Sequence, residues 1–131
     1  MVDCRLDDMG LESMSYSVHI KRAKAQDNGG ISLEEWLQYV RSDGELRHLG
    51  EAIAKTSKGD TVRYDAPGMT EWIDPQTGYK VLFDHSNRGG KVSVANPSRA
   101  ALIKMFKVAQ ALSGIVQGDE GECYDALGNP A

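Results

Sequence analysis

Apolar and polar side chains alternate along several short stretches of the chain. Near the N-terminus, Tyr16, Val18 and Ile20 alternate with polar neighbours, the pattern of a half-buried strand over about residues 15–23. Pro- and Gly-containing turns separate later stretches that alternate in the same way. These stretches predict strands within residues 61–64, 69–74, 79–85, 91–96 and 115–117, and after the last one we expect the chain to turn and pair again through residues 122–124.

Two other stretches repeat their apolar residues every three or four positions, as amphipathic helices do. In ISLEEWLQYV, Ser32 and Glu35 have the spacing of a capping box. The second helix is predicted to begin at Asn96-Pro97, with Asn96 as the N-cap and Pro97 at the first helical position. Gly114 is predicted to end it in a left-handed conformation.

The order of these elements predicts an α+β fold. We expect an antiparallel sheet of about four to six strands with two main helices on one face, in the order β-α-β-β-β-β-α-β. For ELRHLGEAIAK, over residues 45–55, the pattern predicts either a second short helical piece or an irregular connection. Residues 1–13 show no periodicity and are predicted to form a loose tail, so residues 14–131 are expected to form a single domain.

Charge and hydropathy argue against a nucleic-acid-binding, a membrane-spanning or a secreted protein. The net charge of -4 argues against a nucleic-acid partner, since phosphates require a basic surface. The apolar runs are too short to cross a membrane, and the N-terminus lacks the features of a secretory signal. These observations predict a cytoplasmic protein without membrane contact.

The spacing of the cysteines and carboxylates favours neither a disulfide nor a metal site. Cys4 and Cys123 lie far apart; a disulfide between them stays open, but free thiols are the simpler expectation. The loop before the first helix resembles the second half of a calcium loop, yet Lys24 stands where the first carboxylate belongs. We therefore predict a helix cap there, with no bound metal and no cofactor.

The sequence predicts no catalytic residue. His19, His48 and His85 share no spacing with a nucleophile or with each other. Cys123 lies among acidic residues, which makes it a poor candidate for a nucleophile. The basic residues of the second helix are expected on its solvated outer side; they are Arg99, Lys104 and Lys107.

The segment after Gly114 is the main candidate for a binding site. Four of the 19 acidic residues and none of the 15 basic residues lie in it, so it holds the whole formal excess of -4. It is predicted to be either a plain solvated turn or a surface that meets a basic partner. The candidate partner-binding residues are Asp119, Glu120, Glu122, Tyr124 and Asp125, together with Trp72, Asp74 and Asp84 on nearby strands. For Trp72, a position in the core is the alternative to an interface anchor.

The chain resembles small bacterial immunity proteins, the cytosolic partners of secreted polymorphic toxins. The resemblance spans about residues 15–125 and rests on SYSVHIKR, ISLEEWLQYV, TEWID, NPSRAALIKMFKVAQALSG and VQGDEGECYD. It implies a protein that needs no chemistry of its own. Its acidic surface would cover the basic active-site cleft of a cognate toxin and block it.

A rival hypothesis is a small enzyme or ligand-binding protein. It would use Asp84, His85 and the acidic segment around a pocket. It requires that a histidine and carboxylates converge on one concave site. An adaptor of a stress or secretion system is a third reading, which differs from an immunity protein only in the identity of its partner.

Overall fold

The computed structural model describes residues 16–22, 30–86 and 89–130. Its strands are β1 Ser17–Lys21, β2 Leu46–His48, β3 Glu51–Lys55, β4 Thr61–Asp65, β5 Met69–Ile73, β6 Lys80–Ser86, β7 Lys91–Ala95 and β8 Ile115–Gly118; its helices are α1 Leu33–Ser42, between β1 and β2, and α2 Arg99–Ala111, between β7 and β8. This confirms the predicted α+β fold. The predicted tail and the first half of the supposed calcium loop lie outside the described residues.

Six strands form one antiparallel sheet in the order β2-β5-β6-β7-β1-β8. Strands β5, β6 and β7 follow one another as a meander, and β1 inserts between β7 and β8 through pairs such as Val18 with Val94. Strands β3 and β4 form a separate two-stranded ribbon. The two edges of the main sheet are therefore β2 and β8.

Residues 45–55 differ from the prediction, because they form β2 and β3 instead of a helical or irregular piece. Six strands consequently lie between the two helices, where four were expected. Leu46 pairs with Trp72, and Gly50 adopts a left-handed φ of 78° between the two strands. The Glu, Ala and Lys residues of β3 favour helices intrinsically, but pairing with β4 overrides that preference.

The boundaries of α2 also correct the prediction. Ser98 is the N-cap, and its hydroxyl accepts a hydrogen bond from the Ala101 amide at 3.1 Å. Asn96 lies before the helix in a left-handed conformation, and its side chain accepts from the Tyr16 amide at 3.1 Å. The left-handed residue at the C-terminal end is Ser113.

Gly114 meets a different requirement, that of close packing. A Cβ at this position would lie 2.7 Å from the carbonyl oxygen of Lys21 in β1. The chain therefore needs glycine there so that the turn after α2 can approach the sheet.

Both helices pack on the same face of the main sheet, as predicted. Trp36 of α1 stacks on Phe83 of β6 with ring centroids 6.4 Å apart, and its indole N–H donates to the Gly68 carbonyl at 2.9 Å. The shared core also contains the fully buried residues Val18, Ile20, Val92, Val94, Met105, Val108 and Val116. We call this side of the sheet the inner face and the opposite side the outer face. Within the described residues, neither helix has the length and apolar character needed to cross a membrane.

Candidate partner-binding surface

The acidic segment folds back on β8 as a short hairpin, which we call the acidic hairpin, residues 115–125. The Gly118 amide donates to the Glu122 carbonyl at 2.8 Å, and the Tyr124 amide donates to the Val116 carbonyl at 2.9 Å. Gln117 and Cys123 form a β-bridge between the two arms of the hairpin. These contacts confirm the predicted second pairing through residues 122–124, and they cover the outer edge of β8.

Asp119 anchors the tip of the hairpin to β1. Its carboxylate accepts from the Ser17 amide at 2.9 Å and lies 2.8 Å from Nε2 of His19, while its own amide donates to the Ser17 carbonyl at 3.0 Å. The hydrogen bond from His19, followed by that from Ser17, lowers the pKa of the Asp119 carboxyl. The side chain is still 45% exposed, so the anchor also contributes negative charge to the surface.

His19 links this anchor to a third residue, Ser93 on β7. Nδ1 of His19 lies 2.7 Å from the Ser93 hydroxyl oxygen. In the neutral imidazole whose Nε2 proton points to the Asp119 carboxylate, Nδ1 accepts from the Ser93 hydroxyl. A serine, a histidine and an aspartate thus form one hydrogen-bonded row across the outer face.

Sequence reasoning missed this row because its members are far apart in the chain. His19 and Ser93 are 74 positions apart, and His19 and Asp119 are 100 positions apart. Strand alternation indicates that both His19 and Ser93 avoid the inner face. Only the order of the strands in the sheet shows that they are neighbours.

Glu122 and Tyr124 determine the shape of the hairpin. The Tyr124 hydroxyl donates to one carboxylate oxygen of Glu122 at 2.8 Å, and the other oxygen, Oε1, is buried without a hydrogen bond among the described residues. A Cβ at Gly118 would collide with the Glu122 carboxylate and the Tyr16 hydroxyl. Glycine at 118 therefore leaves room for the ends of these two side chains over β8.

Asp125 also has an internal role. Its carboxylate caps the next turn by accepting from the amides of Leu127 at 2.9 Å and Asn129 at 3.0 Å. Arg99 of α2 donates to the Leu127 carbonyl and to the Asn129 side chain, and so ties this turn to the helix. Among the four acids, Glu120 at the exposed tip is the one whose side chain makes no hydrogen bond or ion pair with the described residues.

Two of the candidate residues on the strands are inaccessible. Trp72 is 4% exposed and belongs to the core, where its indole N–H donates to Glu45 at 2.9 Å. Asp74 is 7% exposed, and its carboxylate accepts from the Gln76 amide in the turn after β5. Both side chains support the fold, and neither presents a surface to a partner.

Asp84 and His85 lie on opposite faces of β6, so they do not line a common pocket. The His85 side chain is buried on the inner face, and its Nε2 donates to the Ile31 carbonyl at 2.7 Å. Asp84 is exposed on the outer face, directly opposite Ser93 in the register of β6 and β7. Desolvation by surrounding atoms raises the pKa of the Asp84 carboxyl, and the neighbouring His85 opposes the rise.

Lys104 corrects the prediction that all the basic residues of α2 are solvated. It is 8% exposed, and its ammonium donates to Asp43 and to Glu45, both at 2.9 Å. Tyr39 donates to the same oxygen of Asp43 at 2.6 Å. Burial raises the pKa of Asp43, but the bonds from Tyr39 and Lys104 outweigh it and lower the pKa overall. Bonds from Trp72 and then Lys104 lower the pKa of Glu45.

Two shallow grooves lie away from the acidic hairpin. One, of about 480 Å³, is lined by Arg22, Glu35, Tyr39 and Leu112, at the meeting of the two helices. The other, of about 520 Å³, lies beside the ends of β6 and β7 and is lined by residues including Tyr79 and Leu82. Neither groove contains Ser93, His19 or Asp119.

Among the residues that the structure describes, no group of three or more His, Cys, Asp or Glu side chains is arranged to hold a metal ion.

Comparisons with protein-family models, with curated proteins and with solved structures found no match to this chain.

Proposed function

We propose that the protein is a cytoplasmic immunity protein that neutralises a cognate toxin by covering a basic active-site cleft with its acidic hairpin. One observation carries the proposal: the hairpin is held at its tip by three hydrogen bonds to β1, and it keeps Glu120 exposed in a segment without Lys or Arg. A preorganised acidic loop loses little conformational entropy on binding and steers toward a basic surface. The proposed partner is a protein, since a net charge of -4 disfavours binding to nucleic acid.

The geometry divides the candidate residues by task. Glu120, the exposed part of Asp119 and Asp84 supply accessible negative charge. The remaining hairpin candidates, Glu122, Tyr124 and Asp125, maintain the shape of the segment through their internal hydrogen bonds. Trp72 and Asp74 are not part of the proposed contact surface.

The test is a binding measurement between the purified protein and the product of the neighbouring gene. Charge reversal by Glu120→Lys should slow association by about tenfold at low salt, because a charge at the rim of an interface acts chiefly on the association rate. The matched control is Asp60→Lys, an exposed acid in the turn between β3 and β4; it should leave the rate unchanged. If no complex forms, or if both variants bind like the wild type, the proposal is wrong.

A second candidate function, ester hydrolysis, is favoured by the Ser93–His19–Asp119 row alone. In that reaction Ser93 would attack a carbonyl carbon while its proton passes to Nδ1 of His19 and then to the leaving alcohol; water would release the acyl group afterwards. The binding function ranks first because the bonds of Asp119 to Ser17 and His19 are already explained by the anchoring of the acidic hairpin.

A fluorophosphonate probe distinguishes the two candidates. A hydrolase would be supported if the probe labels the wild type and the Ser17→Ala variant but not the Ser93→Ala variant. Ser17 serves as the control because it is a serine on the same outer face. Absence of labelling would contradict it and would leave the binding proposal unaffected.

A further inference from the structure

Strands β3 and β4 form a ribbon, which we call the arm, residues 51–65, that is a separate sheet from the main one. Within the described chain, its strands pair with each other and with no further strand. Three large apolar side chains on it are exposed, with Ile53 at 58%, Tyr64 at 54% and Val62 at 44%. A two-stranded ribbon of this kind is only marginally stable in water, and its open edges are templates for further pairing.

The backbone hydrogen bonds at the two ends of the arm show which groups are available on β3. The Thr56 amide donates to the Asp60 carbonyl at 2.8 Å, and the Ala66 amide donates to the Gly50 carbonyl at 3.1 Å. Hydrogen-bonded pairs alternate with non-bonded pairs along an antiparallel ladder. The peptide groups of residues 52 and 54 therefore point toward β4, whereas those of residues 51, 53 and 55 point to the open edge.

The sequence of β3, Glu-Ala-Ile-Ala-Lys, is complementary to itself when it is read in the antiparallel direction. With Ile53 opposite Ile53 of a second copy, Glu51 lies opposite Lys55 of that copy, and Lys55 lies opposite its Glu51. We propose that two copies of this chain associate through their β3 edges around a twofold axis. The product is a four-stranded sheet in the order β4-β3-β3-β4.

The charges on the two strands favour β3 over β4 as the edge that pairs with a second copy. Self-pairing of β4, Thr-Val-Arg-Tyr-Asp, would place Arg63 opposite Arg63 and so bring like charges together. On β3, by contrast, the second copy brings opposite charges together, in addition to the 3.5 Å ion pair that Glu51 makes with Arg63 of its own arm. Glu51 lies opposite Asp65 within one arm, and Lys55 of the second copy adds the opposite charge on its other side. Each facing pair whose peptide groups point outward would exchange two hydrogen bonds.

The first experiment measures molecular mass by analytical ultracentrifugation across a wide range of protein concentration. The wild type should shift from monomer to dimer as the concentration rises. Ile53→Pro removes an outward-facing N–H while sparing the bonds to β4, so it should remain monomeric throughout. The matched control, Arg63→Pro, blocks the equivalent position on the edge of β4 and should still dimerise. A wild type that is always monomeric, or an Ile53→Pro variant that dimerises normally, overturns the proposal.

A charge exchange tests the register without introducing proline. Glu51→Lys alone and Lys55→Glu alone each place like charges at both ends of the paired strands, and each should raise the dimer dissociation constant by about tenfold. The double variant restores opposite charges at both ends and should dimerise like the wild type. If the double variant is as weak as the single variants, the antiparallel register centred on Ile53 is wrong. Circular dichroism of each variant checks that the fold is kept.

Discussion

Arg22 and Glu35 form a two-pronged ion pair between the residue that follows β1 and the first turn of α1. Nη1 of Arg22 donates to Oε1 of Glu35 at 3.0 Å, and Nη2 donates to Oε2 at 2.9 Å. The same guanidinium donates through Nε to the Leu112 carbonyl at 3.0 Å, at the end of α2. One arginine thus joins the sheet to both helices, and Glu35 completes the capping box with Ser32 at the same time.

This ion pair predicts a specific pH dependence. Hydrogen bonds from Arg22, followed by the Ser32 amide, lower the pKa of Glu35 from 4.5 to about 2. A folded-state pKa below the unfolded value means that the carboxylate stabilises the fold above pH 4.5 and that this contribution is lost as the pH falls toward 2. Because the carboxylate is partly exposed, we expect Glu35→Gln to cost only about 1 kcal/mol at neutral pH.

Urea unfolding at pH 7 and at pH 3 measures this effect. The difference between the wild type and Glu35→Gln should shrink at the lower pH. Glu34→Gln, at the exposed neighbouring position, is the control and should change the free energy of unfolding less at both pH values. A difference for Glu35→Gln that stays constant between the two pH values would contradict the assignment.

The buried cluster around Lys104 predicts a larger loss of stability. Lys104→Ala leaves Asp43 and Glu45 without their common cation, and we expect it to lower the free energy of unfolding by about 3 kcal/mol at neutral pH. The loss should diminish in acid, because both carboxyl pKa values are lowered in the fold and their protonation removes the benefit. Chemical denaturation measures it. Lys107→Ala, exposed on the same helix, should cost less than about 0.5 kcal/mol, and equal losses would exclude the cluster as the cause.

The anchor at Asp119 predicts local opening of the acidic hairpin. Asp119→Asn removes the carboxylate that accepts from Ser17 and His19, so the amides of Gly118 and Tyr124 should exchange with solvent about tenfold faster. Hydrogen exchange followed by NMR measures these rates. Glu120→Gln, one residue further along, should leave them unchanged. In the wild type the anchor is complete above the ordinary aspartate pKa and weakens as the pH falls below it.

The observed start of α2 predicts which residue caps it. Ser98→Ala should lower the free energy of unfolding by about 1 kcal/mol, because the Ala101 amide loses its acceptor. Asn96→Gly should cost less, since glycine accepts the left-handed φ of 47° that asparagine adopts there. Thermal unfolding of both variants gives the comparison. A larger loss for Asn96→Gly would restore Asn96 as the more important residue.

Local patterns predicted most of the elements because each depends on near neighbours in the chain. The capping box of α1 and the alternation in β1, β6 and β7 are complete within a few residues. Residues 45–55 were mispredicted because the Leu46–Trp72 pair and the arm register come from distant strands. Helix-favouring residues such as Glu51 and Lys55 gave no local sign of that pairing.

The candidate surface was predictable only in part. The sequence shows that acidic residues are concentrated after Gly114, but it does not show which of them accept internal hydrogen bonds and which are exposed to a partner. Asp119 and Asp125 are local hydrogen-bond acceptors, and this becomes apparent only when Ser17 and Asn129 are placed beside them. The burial of Lys104 was missed for the same reason, since its two carboxylate partners follow a different helix.

The anchoring of the acidic hairpin affects how the choice of binding partner could change during evolution. Asp119 accepts from the Ser17 amide, and Glu122 accepts from the Tyr124 hydroxyl, so we expect substitution of either residue to loosen the hairpin. Glu120 carries no such duty, so mutation there alters the charge shown to a partner at little cost to folding. A lineage could therefore acquire a new partner specificity at the tip of the hairpin while the sheet beneath stays the same.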